Sequence, residues 1–68
     1  MQEIKLETEI IKLDAFLKWA GVVVAGSEAK FYIKNEDVKV NGEIETRRGK
    51  KLTKGDIIKF DGESYKIV

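Results

Sequence analysis

The chain has no cysteine, no histidine and no proline. Without cysteine there is no disulfide staple and no thiolate chemistry. Without histidine the commonest general base and the commonest metal ligand are both missing. No apolar run approaches the roughly 20 residues of a membrane span. Met1-Gln2-Glu3-Ile4-Lys5 lacks the basic-then-apolar shape of a signal peptide. The expected location is therefore the cytoplasm, with no membrane partner. There is no internal repeat and no low-complexity segment. Carboxylates are left as acid–base candidates, but they are dispersed, and the expectation is that most pair with nearby lysines. A chain of 68 residues also has little room for a water-excluding pocket. These absences point away from an enzyme, a cofactor and a small-molecule substrate.

What is present is a foldable composition with an uneven charge pattern. Hydrophobic residues make up 43% of the chain, ordinary for a folded protein. The length suits one domain, residues 1–68, which buries about 60% of its unfolded surface. Net charge is only +1, but its distribution is informative. Residues 1–28 hold three basic and five acidic groups, and residues 29–54 hold eight basic and four acidic. Within Arg47-Arg48-Gly49-Lys50-Lys51-Leu52-Thr53-Lys54 there are five basic groups and no acid. A local basic patch attracts phosphate even when net charge is near zero.

The apolar period divides the chain into elements. Residues 2–7 alternate, with Ile4 and Leu6 apolar, which predicts a half-buried edge strand. Leu13, Phe16, Leu17 and Ala20 then fall at helical spacing, with Asp14 in the first turn and Gly21 as the stop. Val22-Val23-Val24-Ala25 is a short apolar connector expected to pack beneath the helices. A second helix spans Gly26 to Asn35. Ala29 and Ile33 share one stripe, and Lys30 and Lys34 share the adjacent one. Either Ala25 or Ser27 stands at its start. Alanine in that place lacks a capping oxygen, at a cost of about 1 kcal/mol.

After Asp37 the period becomes two. Val38 to Val40 is a strand, Asn41-Gly42 a two-residue turn, and Glu43 to Thr46 the return. Arg47 to Lys54 reads as a loop anchored by Leu52. Ile57 to Phe60 and Ser64 to Val68 are strands joined by a turn at Asp61-Gly62. The order is strand, two helices, then about four short strands. That is an α+β chain, with two short helices packed on a small antiparallel sheet and an N-terminal edge strand. The stretch from Gly21 to Ser27 has the first half of a phosphate loop. The required lysine after its second glycine is missing, so no nucleotide site is expected.

Three segments resemble the S4 RNA-binding domain family. Lys12-Leu13-Asp14-Ala15-Phe16-Leu17 looks like its opening Arg-Leu-Asp-x-x-Leu. Ser27-Glu28-Ala29-Lys30 followed by Ile33 looks like its Ser-x-Glu-Ala-Arg/Lys-x-x-Ile. Val38-Lys39-Val40-Asn41-Gly42 looks like its Val-x-Val-Asn-Gly hairpin, and Lys54-Gly55-Asp56 extends the match. The stretch Glu45 to Leu52 resembles the Glu-x-Arg-Arg-Gly-x-Lys-Leu of small stand-alone bacterial proteins of the YaaA/YbcJ type. The resemblance implies an S4-like (alpha-L) fold, and two helices with a hairpin that bind structured RNA, often ribosomal. Two departures stand out. Lys12 replaces the usual Arg, keeping charge but losing the planar fork. Ala25 replaces the usual small hydroxyl or cap residue.

The candidate RNA-binding residues are Lys12, Lys18, Lys30 and Lys34 from the helices, and Arg47, Arg48, Lys50 and Lys51 from the loop. The expected partner is rRNA or a ribosomal subunit, and the expected state is a monomer. The alternative is a protein-interaction module that uses the sheet edge or the Val22–Val24 connector. Phe16, Tyr32 and Phe60 read as core. Trp19 and Phe31 fall off the apolar stripes and either complete the core edge or stack on bases.

Overall fold

The computed structural model describes all 68 residues, Met1–Val68. The alternating start forms β1 (Gln2–Ile4). A two-residue strand, β2 (Ile11–Lys12), leads directly into α1 (Leu13–Trp19), and α2 (Gly26–Lys34) follows. The rest of the chain supplies β3 (Val38–Val40), β4 (Glu43–Ile44), β5 (Lys51–Leu52), β6 (Ile57–Phe60) and β7 (Glu63–Ile67). Five of these strands form one sheet in the order β1-β7-β6-β3-β4. The other two, β2 and β5, pair with each other alone.

The helices cover one face of the large sheet. Leu13, Phe16 and Leu17 from α1 and Ala29 and Ile33 from α2 are fully buried. They share one cluster of 14 buried residues with Val38, Val40, Ile58, Phe60, Tyr65 and Ile67 from the strands. Period-two alternation explains the strand contribution, because every second side chain points at the helices. Phe16 and Phe60 lie in this core as expected. Tyr32 is half-buried and meets Phe60 edge-on at 4.9 Å.

Three sequence expectations need correction. The edge strand β1 is where alternation put it, but it runs parallel to β7 (Gln2↔Tyr65, Ile4↔Ile67), so the sheet is mixed, not wholly antiparallel. Antiparallel neighbours can be joined by a tight turn, whereas a parallel pair needs a long connection. Here that connection is the rest of the molecule. Second, Arg47 to Lys54 is not all loop, since Lys51–Leu52 forms β5. Third, Val23 is buried but Val24 is 89% exposed, so only part of the connector packs inward.

Both helices end in the same way. In α1, Val22 N–H donates to Leu17 O and Gly21 N–H to Lys18 O, both at 3.0 Å. In α2, Asp37 N–H donates to Tyr32 O at 3.1 Å and Glu36 N–H to Ile33 O at 3.2 Å. These are the paired bonds of a Schellman motif, which needs a left-handed residue just past the cap. Gly21 fills that place in α1 at φ +75, and Glu36 fills it in α2 at φ +64. The start of α2 is now resolved. Ala25 occupies the cap position, with no side-chain bond to the helix. Glu28 reaches back instead, its Oε1 accepting the Val24 N–H at 3.0 Å.

Candidate nucleic-acid interface

The β2–β5 pair assembles basic side chains from distant parts of the chain. Ile11 lies opposite Leu52, and Lys12 lies opposite Lys51. Leu52 is fully buried, and this anchor holds the segment down. Beyond the pair, Leu13 N–H donates to Lys50 O at 2.8 Å and Asp14 N–H to Arg48 O at 3.1 Å. The basic run is therefore fastened by its own carbonyls to the first turn of α1. The side chains of Lys12, Arg48 and Lys51 are exposed. Two lysines directly opposite each other across strands repel, which destabilises the fold. An anion that bridges them would reverse the sign of that interaction.

The first turn of α1 is not itself an anion site. The Leu13 and Asp14 N–H groups are taken by the loop carbonyls, and Ala15 N–H donates to Asp14 Oδ1 at 2.7 Å. Positive charge here comes from side chains alone.

A second group lies on α2. Ser27, Lys30, Phe31, Lys34 and Asn35 line one shallow open depression. Helical spacing brings Lys30 and Lys34 together on this face, while Ala29 and Ile33 point into the core. Phe31 is 62% exposed and makes an edge-type contact with Tyr32, ring centres 5.3 Å apart. A ring held beside two ammonium groups offers a stacking surface next to phosphate-binding charge. Lys18 stands exposed on the last turn of α1.

The remaining two candidates face the β3–β4 hairpin. Arg47 and Lys50 share a depression with Val40, Asn41, Glu43 and Glu45. Arg47 Nε donates to Glu45 Oε2 at 2.9 Å, and its Nη2 donates to Oε1 at 3.2 Å. This is the one ion pair in the protein. The expectation that most carboxylates pair with lysines does not hold. Exposed lysines at the surface gain little from such pairing and keep their freedom. The Arg47 hydrogen bond holds the Glu45 carboxyl below the usual carboxylate range, and Glu45 raises Arg47 in turn. Arg47 is thus already engaged, although its side chain stays 73% exposed.

Trp19 has a structural role. Its indole N–H donates to Lys5 O at 3.1 Å, pinning the segment after β1 against α1. The residue is still 52% exposed. Sequence reasoning missed the Lys12–Lys51 juxtaposition altogether. The available signal was Ile11 before Lys12 and Leu52 after Lys51, two apolar–basic pairs of opposite order.

The chain has extensive likeness to known proteins. A sequence model of the S4 domain matches residues 4–68. The chain is 41% identical over 66 residues to the probable ribosome maturation protein RlbA of Bacillus subtilis (strain 168), spanning 96% of this chain and 93% of that protein. It is 36% identical over 58 residues to the putative RNA-binding protein YbcJ of Escherichia coli (strain K12), spanning 85% of this chain and 83% of that one. The solution structure of YbcJ from E. coli, described as revealing an alfaL motif involved in RNA-binding, superposes with a TM-score of 0.73 at 33% identity. That match covers 100% of this chain and 87% of YbcJ. The 30S ribosomal protein S4e from Thermoplasma acidophilum shares the fold, with a TM-score of 0.68 at 24% identity over 91% of this chain and 33% of that protein. With a match that runs from the first strand to the last residue, and relatives of nearly its own length, this chain belongs to the S4 domain family.

Proposed function

We propose that this chain is a non-catalytic RNA-binding module that grips structured RNA, with ribosomal RNA as its target during ribosome assembly or ribosome-associated quality control. The observation that carries the reading is Lys12 set against Lys51 at the foot of α1, with Arg48 fastened beside them. Lysines and arginines there, with Lys18, Lys30 and Lys34, replace the counterions condensed on phosphates, and their release drives binding. Arg48 is free for a two-pronged grip on a phosphate. Arg47 and Lys50 contribute at the margin, beside the hairpin carboxylates. An RNA duplex hides its base edges in a deep, narrow groove, so a rigid basic surface reads shape and backbone more than sequence. The relatives named for RNA binding and ribosome maturation support the same reading. The module acts in the cytoplasm as a monomer, and no cofactor enters the mechanism. A protein-docking reading through the Val22–Val24 connector has less support, because Val23 is committed to the core.

The test is binding of the purified protein to folded ribosomal RNA fragments and to a DNA duplex, at low and moderate salt. Tight binding that prefers folded RNA and weakens steeply with salt is expected. Absence of binding at low salt would mean that the charges are solvated surface.

A further inference from the structure

The five-stranded sheet has a second face, turned away from the helices, and strand register places three lysines on it. Lys39 is the partner of Lys59 on β6 and of Ile44 on β4. Lys59 is the partner of Ser64, and Lys66 lies two residues further along β7, between Ile57 and Glu3. The residues flanking these lysines along their strands (Val38, Val40, Ile58, Phe60, Tyr65 and Ile67) all lie in the core. Alternation therefore turns Lys39, Lys59 and Lys66 outward, and all three are exposed. Glu3 is the carboxylate placed in register among them, and it forms no ion pair with Lys66.

Two ordinary explanations do not fit this arrangement. Lysines often protect the open edges of sheets, but Lys39 and Lys59 sit on interior strands of the order β1-β7-β6-β3-β4. Solubility is served by interspersed signs, and like charges directly opposite each other cost stability. The chain has 12 acidic residues with which to alternate, yet Lys39 faces Lys59. The same like-charge pairing occurs at Lys12 and Lys51, on the surface already assigned to RNA.

We propose that this outer sheet face is a second phosphate-binding surface, which holds the backbone of another RNA strand or helix while the helix-and-loop surface holds the first. The inference rests on the reading of this chain as an RNA binder and adds that it bridges two RNA segments. Strands lie about 4.8 Å apart, so the three ammonium groups fall within reach of neighbouring phosphates on one backbone. Lysines act there as mobile point charges, suited to phosphate contact and not to base reading. The centre of the face carries none of the aromatic or arginine anchors that protein interfaces concentrate there.

The test compares the wild type with a Lys39→Gln, Lys59→Gln, Lys66→Gln triple variant. A short fluorescent hairpin of ribosomal RNA, in excess over protein, is followed by analytical ultracentrifugation. The wild type should carry two hairpins per protein and the triple variant one. The salt slope of log affinity, summed over both hairpins, should fall by about two to three, just under one per lysine removed. Melting by circular dichroism should place the variant at or above the wild type, because repulsion has been removed. A wild type that carries one hairpin, with a variant of identical stoichiometry and slope, overturns the inference and leaves the RNA-binding reading standing. A wild type that binds no hairpin overturns both. Loss of an acidic protein from a lysate pull-down, with RNA stoichiometry unchanged, would assign the face to a protein and also overturn it.

Discussion

The Asn41 side chain clasps Asp56, its Nδ2 donating to Asp56 Oδ1 at 3.0 Å. Each polar atom of both side chains has a partner. Asn41 Oδ1 accepts the Ile57 N–H at 2.9 Å, and Asp56 Oδ2 accepts the Thr53 N–H at 2.8 Å. The tip of the β3–β4 hairpin is thereby tied to the turn that leads into β6. Asn41 also stands at φ +52, a left-handed conformation that Asn tolerates better than most residues. Asn41→Ala and Asp56→Ala should each cost about 1–2 kcal/mol in urea unfolding. A double-mutant cycle should return a coupling of at least about 0.5 kcal/mol. Strict additivity would show that the clasp contributes nothing.

Glu36 occupies a place where glycine is preferred. Its φ of +64 matches the +75 of Gly21 at the end of the other helix. Glu36→Gly should raise stability by about 0.5–1 kcal/mol, the relief of strain exceeding the added chain entropy. Gly21→Ala should lower it by a similar amount. Thermal unfolding of the two variants gives the comparison, and a less stable Glu36→Gly would show that the conformation carries no strain.

The Glu45–Arg47 pair engages an arginine of the proposed RNA surface. Glu45→Gln should release it, raising RNA affinity and steepening the salt slope by up to about one. Acid should act in the same direction. The carboxyl titrates below its ordinary range because of the Arg47 hydrogen bond. Whatever stability the pair adds is therefore present above that range and is lost as pH falls through the depressed value. A side-chain NMR titration of Glu45 should show the depression, and Arg47→Gln should abolish it.

Fold and function should move in opposite directions at Lys12 and Lys51. Gln in place of either removes a like-charge repulsion, so stability should hold or rise slightly. RNA binding should weaken for all RNAs alike, with the salt slope reduced by about one per lysine. Paired melting and binding curves would show this divergence. Parallel losses in both would identify the lysines as structural.

The core and the turns were legible in the sequence because their signals are local. Leu13, Phe16 and Leu17 repeat at helical spacing, and all three are fully buried. Asn41-Gly42 and Asp61-Gly62 announce tight turns, and all four residues have positive φ. Lys30 and Lys34 share a face because one helix carries both. The parts that were not legible depend on residues far apart in the chain. A two-residue strand such as β5 has no period to detect, so the opposed pairs Ile11-Lys12 and Lys51-Leu52 were the one faint sign of Lys51 opposite Lys12. The Asn41–Asp56 clasp joins two turns that each make sense alone. The parallel sense of β1 is equally silent, since alternation specifies a face and not a direction.

That parallel edge has a consequence for the order of events in synthesis. Gln2 lies beside Tyr65 and Ile4 beside Ile67. Translation releases β1 long before β7, with two helices and five strands between them. β1 therefore has no neighbour to pair with until β7 follows it out of the ribosome. Closing so long a loop is entropically slow. The helices, α1 and α2, are available much earlier, before the sheet that supports them is complete. A truncation that removes β7 would leave β1 without its only sheet neighbour. Kinetically, β1 and β7 behave as one late-forming unit.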